Sequence, residues 1–330
     1  MTSSIARGFG RYMLVALAAA IALGLPAAAV ADNFPDHPIK LIVPFGPGGP
    51  PDVAARIIGA YLSDHLGRPV VVENHIGAGG TLAARAVAGA PPDGYTLLAA
   101  TAGSLAISPQ LYKDAGIDPV KDFAAVAMVS SAPLVVAINP SIPAHSVKEL
   151  VAYAKANPGK LNYGAVIGTP PHMCGEMFKH ITGANIVFVP YKTASQATID
   201  VLAGQMNMTF EGTTAIVPHI KSGEVRALAV TSPTRIPEIP DVPTMDELGY
   251  PGMPPDSWQA IVAPAGTPPD VVARINKVVN EGLATPELQN KLKQLGGEPQ
   301  PKSVADFAAF IADQYKRWGE VIHITGVTLN

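Results

Sequence analysis

Cysteine is nearly absent: Cys174 is the one thiol in 330 residues, so no internal disulfide is available and stability rests on packing. Charge is scarce too, at 15% of residues against 48% hydrophobic ones, and no basic stripe stands anywhere in the chain. That argues against nucleic acid and against an anionic membrane surface as partners. The signatures of metal binding and catalysis are also missing. HExxH, CxxC, GxSxG and SxxK do not occur. Ser104 and Ser195 would serve a hydrolase only with a base and an oxyanion hole, and neither has such a partner at a readable spacing. The reading is therefore of a binding protein, not an enzyme, that needs no cofactor and no metal.

Long apolar runs are confined to the start. Arg7 and Arg11 precede MLVALAAAIALGL, and PAAAVA ends on Ala29-Val30-Ala31, a small-residue cleavage pattern. The run is too short to span a bilayer. Residues 1–31 read as an export leader, and the mature protein is expected in the periplasm with no segment inserted in the membrane. Losing the leader leaves 21 basic against 26 acidic side chains, a net charge of −5. Any anion held by this surface has to be held by local dipoles.

The rest alternates short apolar runs with longer helical ones, the pattern of an α/β protein with largely parallel sheets. IKLIV, PVVVE and YTLLAAT read as strands, with DVAARIIGAYLSDHL and TLAARAVAGA as helices between them and a loop after the third. A second set begins at SVKELVAYAKAN, where Ser146 and Glu149 are spaced as a capping box. Two apolar stretches, near 128–138 and 258–264, bracket this middle portion. If both cross between lobes, one lobe is discontinuous, 32–133 plus 257–330, and the other is 134–256, with a cleft between them. A monomer is the default.

PFGPGGPPD (44–52) joins a strand to a helix through glycine and proline. It lacks the lysine and hydroxyl of a P-loop and the GxGxxG of a dinucleotide site. What it offers is the start of a helix, with orphan N–H groups and partial positive charge. NHIGAGGT (74–81) and ATAGS (100–104) repeat the device after two further strands, so three loops are expected to converge on a carboxylate. Asp52 beside such a site repels the guest unless it caps its own helix or accepts from a bridging water or hydroxyl.

PIKLIVPFGPGGPPDVAARIIG, GRPVVVENHIGAGG, PPDGYTLLAAT, DPVKDFAAVAMV, NPGKLNYG, GTPPHMCGEMFK, VPYK, PHIKSGEVRALAVTS, PDVPTMDELG and APAGTP follow one another in one order. The series resembles the substrate-binding receptors of tripartite tricarboxylate transporters, the Bug-type proteins, over about residues 34 to 326. The resemblance implies a type II periplasmic binding protein: two α/β lobes, joined by two hinge strands, that close on a small carboxylate and deliver it to membrane permease subunits. A sensor read by a membrane kinase is the alternative use of the same fold. Carried over, the ligand loop supplies Phe45, Gly46, Gly48, Gly49 and Asp52. The third loop supplies Thr101 and Ala102. The facing lobe matches at Gly168, Thr169, His172 and Tyr191, and Ser257 lies where the chain returns. Two positions depart from the usual pattern, Thr193 after VPYK and Glu211 in FEGT, where Glu211 either receives an amine or hydroxyl of the guest or caps a turn. His172 reads more as scaffold than as contact, Lys192 as a surface ion pair, and Trp258 as hinge core.

Overall fold

The coordinates are a computed structural model and describe residues 34–254, 256–294 and 297–329, with the side chain of residue 214 left aside. The expected leader, residues 1–31, lies outside them.

Strands form where β-branched and apolar residues cluster: β1 (Ile39–Val43), β2 (Val70–Asn74) and β3 (Thr96–Thr101). Between them run α1 (Pro50–Leu66) and α2 (Thr81–Ala88). In α1, Ala54, Ala55, Ile58, Leu62 and Leu66 recur at helical spacing and are buried, and Gly67 at φ 71° closes the helix in the left-handed conformation. Where a loop is expected after β3, the chain makes a wide helical turn over Ala102–Ile107 and runs into a short helical turn, Ser108–Leu111. Its small residues carry no apolar period, which is why the sequence pattern hides it.

Next comes a strand of 16 residues, β4 (Phe123–Ile138). The middle set follows: α3 (Val147–Ala156), β5 (Leu161–Val166), α4 (Pro170–Thr182), β6 (Ile186–Tyr191), α5 (Ala194–Leu202), β7 (Met208–Gly212), α6 (Thr213–Lys221) and β8 (Arg226–Val230). The chain ends with β9 (Asp256–Pro264), α7 (Pro269–Leu283), α8 (Pro286–Gln294), β10 (Glu298–Pro299) and α9 (Val304–Thr325). The capping box at α3 is only half formed. Ser146 Oγ accepts from Glu149 N at 3.2 Å, while the Glu149 carboxylate reaches past it to His145 N at 2.7 Å.

The strand order is β2-β1-β3-β9-β4-β7-β5-β6, with β8 and β10 also on β4. Pairing is parallel within β1, β2 and β3 and within β5, β6 and β7, but every contact made by β4 and β9 is antiparallel. The sheets are thus mixed, not largely parallel, because the two central strands run in opposite directions. β4 changes partners partway along. Phe123 to Pro133 pair with β9, and Leu134 to Ile138 pair with β7 and β8. β9 begins at Asp256 opposite Pro133, so the chain returns at the level where β4 leaves.

Each half has its own core. Leu98, Leu105, Met128, Trp258, Phe307 and Trp318 pack on the first. In the second, β4 is buried on both faces: Leu134, Val136 and Ile138 join Tyr163, Phe178 and Phe210, while Val135 and Ala137 join Val201, Ile216 and Val230. Trp258 is fully buried, as expected of a core residue, and its indole N–H donates to Gln314 Oε1 at 3.1 Å.

Candidate functional site

Ligands of open α/β folds bind beyond the carboxyl ends of the strands, and that is where this chain gathers its helix starts. β1, β5, β6 and β7 each run through a short connection into α1, α4, α5 and α6. These starts, together with β4 at Ala132 and Leu134 and β9 at Ser257 and Gln259, enclose a cleft of about 870 Å³, solvent at its mouth included.

Of the residues expected at the site, Phe45, Gly46, Gly49, Thr101, Thr169, Glu211 and Ser257 line this cleft. Gly48, Asp52, Ala102, Gly168, His172 and Tyr191 are not part of its lining. Gly48 needs its glycine, at φ 79°, and its N–H donates to Asp52 Oδ2 at 3.0 Å. Asp52 is 2% exposed and also accepts from Arg56 Nε at 3.0 Å, Arg56 Nη2 at 2.9 Å and Asn74 Nδ2 at 2.9 Å. Burial alone would raise its carboxyl, but the donors from Arg56, Gly48 and Asn74 outweigh it and hold the group below its ordinary range. Asn74 binds Phe45 O as well, at 2.8 Å, so Asp52 organises the whole loop. His172 is buried, tilts against Phe188 with ring centres 4.2 Å apart, and accepts the Gly168 N–H on Nδ1 at 3.3 Å. Tyr191 donates its hydroxyl to Asp200 at 2.5 Å within its own half. Ala102 is fully buried in the turn after β3.

The second expected loop, 74–81, is not on the cleft wall. Its glycines serve a tight turn, with Gly77, Gly79 and Gly80 at φ 149°, 60° and 96°, packed against Ser104 and Ser108. Ser104, weighed above as a nucleophile, is buried and caps this region: its Oγ accepts Thr101 N at 3.0 Å, and its own N–H donates to Thr101 Oγ1 at 3.1 Å.

Donors are distributed differently from what the glycines suggest. Pro50 and Pro51 fill the first two positions of α1, and Pro170 and Pro171 fill those of α4. Those helices keep their dipoles but lose the two N–H groups that would face a guest. α5 keeps them: Thr193 caps Gln196 N at 3.4 Å, and Ala194 and Ser195 follow with their N–H groups intact. Lys192 also lines the cleft, and among the described residues it forms no ion pair, unlike its sequence reading. Sequence reasoning also passed over Gln259. The signal was there, since Ser257 and Gln259 alternate with buried Trp258 as polar residues in an apolar strand.

Glu211 is the anomaly. It is 3% exposed, its Oε1 has no hydrogen-bond partner among the described residues, and burial pushes its carboxyl up to about 7 against the one N–H of Gly212. Such an acid binds more protons folded than unfolded between about 4.5 and 7. Its contribution to stability is complete below the lower value and is lost as pH rises through the upper one. His172 has the opposite sign. Burial holds it down to about 4 from 6.5, so its contribution is complete above 6.5 and lost as pH falls toward 4. Glu211→Gln should therefore stabilise the ligand-free protein little near pH 4.5 and most near pH 8 in urea titrations. An equal gain at every pH would remove Glu211 titration as the cause.

Comparison with known proteins adds the lineage. The model of the Tripartite tricarboxylate transporter family receptor matches residues 54–327. Protein BugT of Bordetella pertussis is 38% identical over 308 residues, 93% of this chain and 94% of that protein. Rpa4515 of R. palustris, solved with adipate, is 35% identical with a TM-score of 0.85 over 89% of this chain and 99% of that one. MatC from Rhodopseudomonas palustris, solved with bound malate, is 31% identical with a TM-score of 0.83 over 88% and 100%. The fold is that of a periplasmic binding protein, two α/β lobes around a cleft. The family is one of solute receptors and not of enzymes. This chain belongs to the receptor family of the tripartite tricarboxylate transporters.

Proposed function

We propose that this protein is a periplasmic receptor that captures a small carboxylate by lobe closure and delivers it to the permease subunits of a tripartite transporter. One observation carries the reading: helix starts from both halves of the fold, α1 on one side and α4, α5 and α6 on the other, face one cleft that, among the described residues, holds one lysine and no arginine. Each start adds roughly 0.3–1 kcal/mol toward an anion, more where partly buried. The N–H groups of Ala194 and Ser195, with Lys192, are the donors nearest to hand. Phe45, Gly46, Gly49, Thr101, Thr169, Glu211 and Ser257 shape the rest of the seat, and Gly48, Asp52, Gly168 and His172 hold its loops in place. The carboxylates held by the two solved relatives support this.

In this reading the lobes are 32–133 with 257–330 and 134–256, residues 1–31 are removed on export, and the mature protein acts as a monomer. A guest that touches both lobes only when they are closed shifts the population toward that state, and the permease distinguishes closed from open. The test is a thermal-shift screen of refolded protein against carboxylates and their amides. At a hundredfold excess over Kd an acid should stabilise by about 2.7 kcal/mol, several degrees in Tm, while its amide does not. A rise with phosphates or sugars and with no acid would sink the reading.

A further inference from the structure

A buried carboxylate oxygen without a partner costs desolvation free energy unless something else supplies the donor, and Glu211, a residue of the cleft lining, holds one. Gln259, whose Oε1 is also buried and unpartnered among the described residues, belongs to the same lining. The strand β7 and its partners offer Glu211 no cation, and the cleft's single lysine, Lys192, lies on the exposed connection after β6. Lys192 and Glu211 are the cleft's only charged side chains among the described residues, so they sum to zero. Asp52 does not enter the count, being enclosed by Gly48, Arg56 and Asn74.

A cleft with anion-favouring helix starts and an unpaired buried acid is complementary to a guest with charge of both signs. On the carboxylate-receptor reading above, we propose that the guest is a zwitterion, a carboxylate that also carries an ammonium group, with the carboxylate at the helix starts and the ammonium on Glu211. A plain dicarboxylate places its second negative charge against Glu211 and forces one of the two to take up a proton. A hydroxyl satisfies one lone pair but leaves the buried negative charge uncompensated. An ammonium group does both. Because burial holds the free carboxyl near 7, capture of an ammonium group near neutrality also expels a proton.

The experiment is calorimetric titration of protein expressed from the full-length sequence and stripped of captured ligand by unfolding and refolding. The probes are the common amino acids and three matched pairs: aspartate and succinate, glutamate and glutarate, 4-aminobutyrate and butyrate. At least one amino acid should bind about tenfold or more tightly than its deaminated counterpart. That binding should release up to about half a proton near pH 7 when buffers of different ionisation enthalpy are compared. Glu211→Gln, which keeps the shape of the residue and removes its charge, should fold normally and bring the amino preference within about threefold. Deaminated acids that bind as well as or better than the amino acids, or a preference that survives Glu211→Gln, would overturn the zwitterion and leave the carboxylate receptor standing. Binding of no carboxylate at all, with or without an ammonium group, would overturn both.

Discussion

Asp52→Ala is expected to weaken ligand binding by about tenfold to a hundredfold and to destabilise the ligand-free protein by about 1–2 kcal/mol. The reason is the number of groups that depend on one carboxylate. Gly48 N, both donating nitrogens of Arg56 and Asn74 Nδ2 converge on it, and Asn74 passes the constraint on to Phe45 O. Removing it leaves the Gly48 N–H unpartnered and releases the loop that carries Phe45, Gly46 and Gly49 into the cleft. Gly48 and the Arg56 side chain are exposed, so water replaces part of what they lose and the net cost is about 1–2 kcal/mol. Asp52→Asn should fall between, because its amide keeps the volume but turns a donor toward donors. Urea melts report the stability and calorimetry the affinity. A destabilised Asp52→Ala protein that binds its acid unchanged would show that the loop's geometry is not used by the guest.

The second large effect concerns a contact across the cleft. Gly168 ends the loop after β5 at φ 75°, and its carbonyl accepts from Ser108 Oγ at 3.1 Å. Ser108 lies on the other side of the cleft, in the turns after β3, and also reaches Gly79 O at 2.9 Å. A Cβ at Gly168 would run into Ser108 Oγ, and the left-handed backbone adds about 1–2 kcal/mol of strain for a non-glycine residue. Gly168→Ala should therefore hold the two halves apart and reduce affinity by about tenfold or more, with a smaller effect on the unfolding of either half. Adding Ser108→Ala removes the clashing atom and leaves an ordinary 3.4 Å contact to its Cβ, so the double variant should regain part of the loss. Strict additivity of the two substitutions in a binding cycle would exclude the steric account.

Much of this was legible from residue order alone. The apolar stretch near 128–138 announced the second part of β4, and its alternation is the one that fills two cores at once. PFGPGGPPD announced a helix start at the cleft, and Phe45, Gly46 and Gly49 line it. NHIGAGGT has the same composition and does not, because β2 is the outermost strand of its sheet, furthest from the β9–β4 crossing over which the cleft forms. Strand order is a property of long-range pairing, and no local motif carries it. The same holds for Lys192: VPYK allows either a surface ion pair or a cleft residue, and only the packing of β6 and α5 decides between them.

The sequence by itself determined the elements, the two-part organisation and the family, since these depend on local period, turn chemistry and ordered motifs. Tertiary structure decided which helix starts face one another across the cleft and which acid lacks a hydrogen-bond partner on one oxygen among the described residues. Both depend on where a side chain ends up relative to residues far away in the chain. Asp52 and Glu211 make the difference plain. Each is an acid beside a helix start, and each is buried. Asp52 meets Arg56 and Asn74 and becomes part of the scaffold, whereas Glu211, in the cleft lining, meets among the described residues only the N–H of its neighbour Gly212 and keeps one buried oxygen unpartnered.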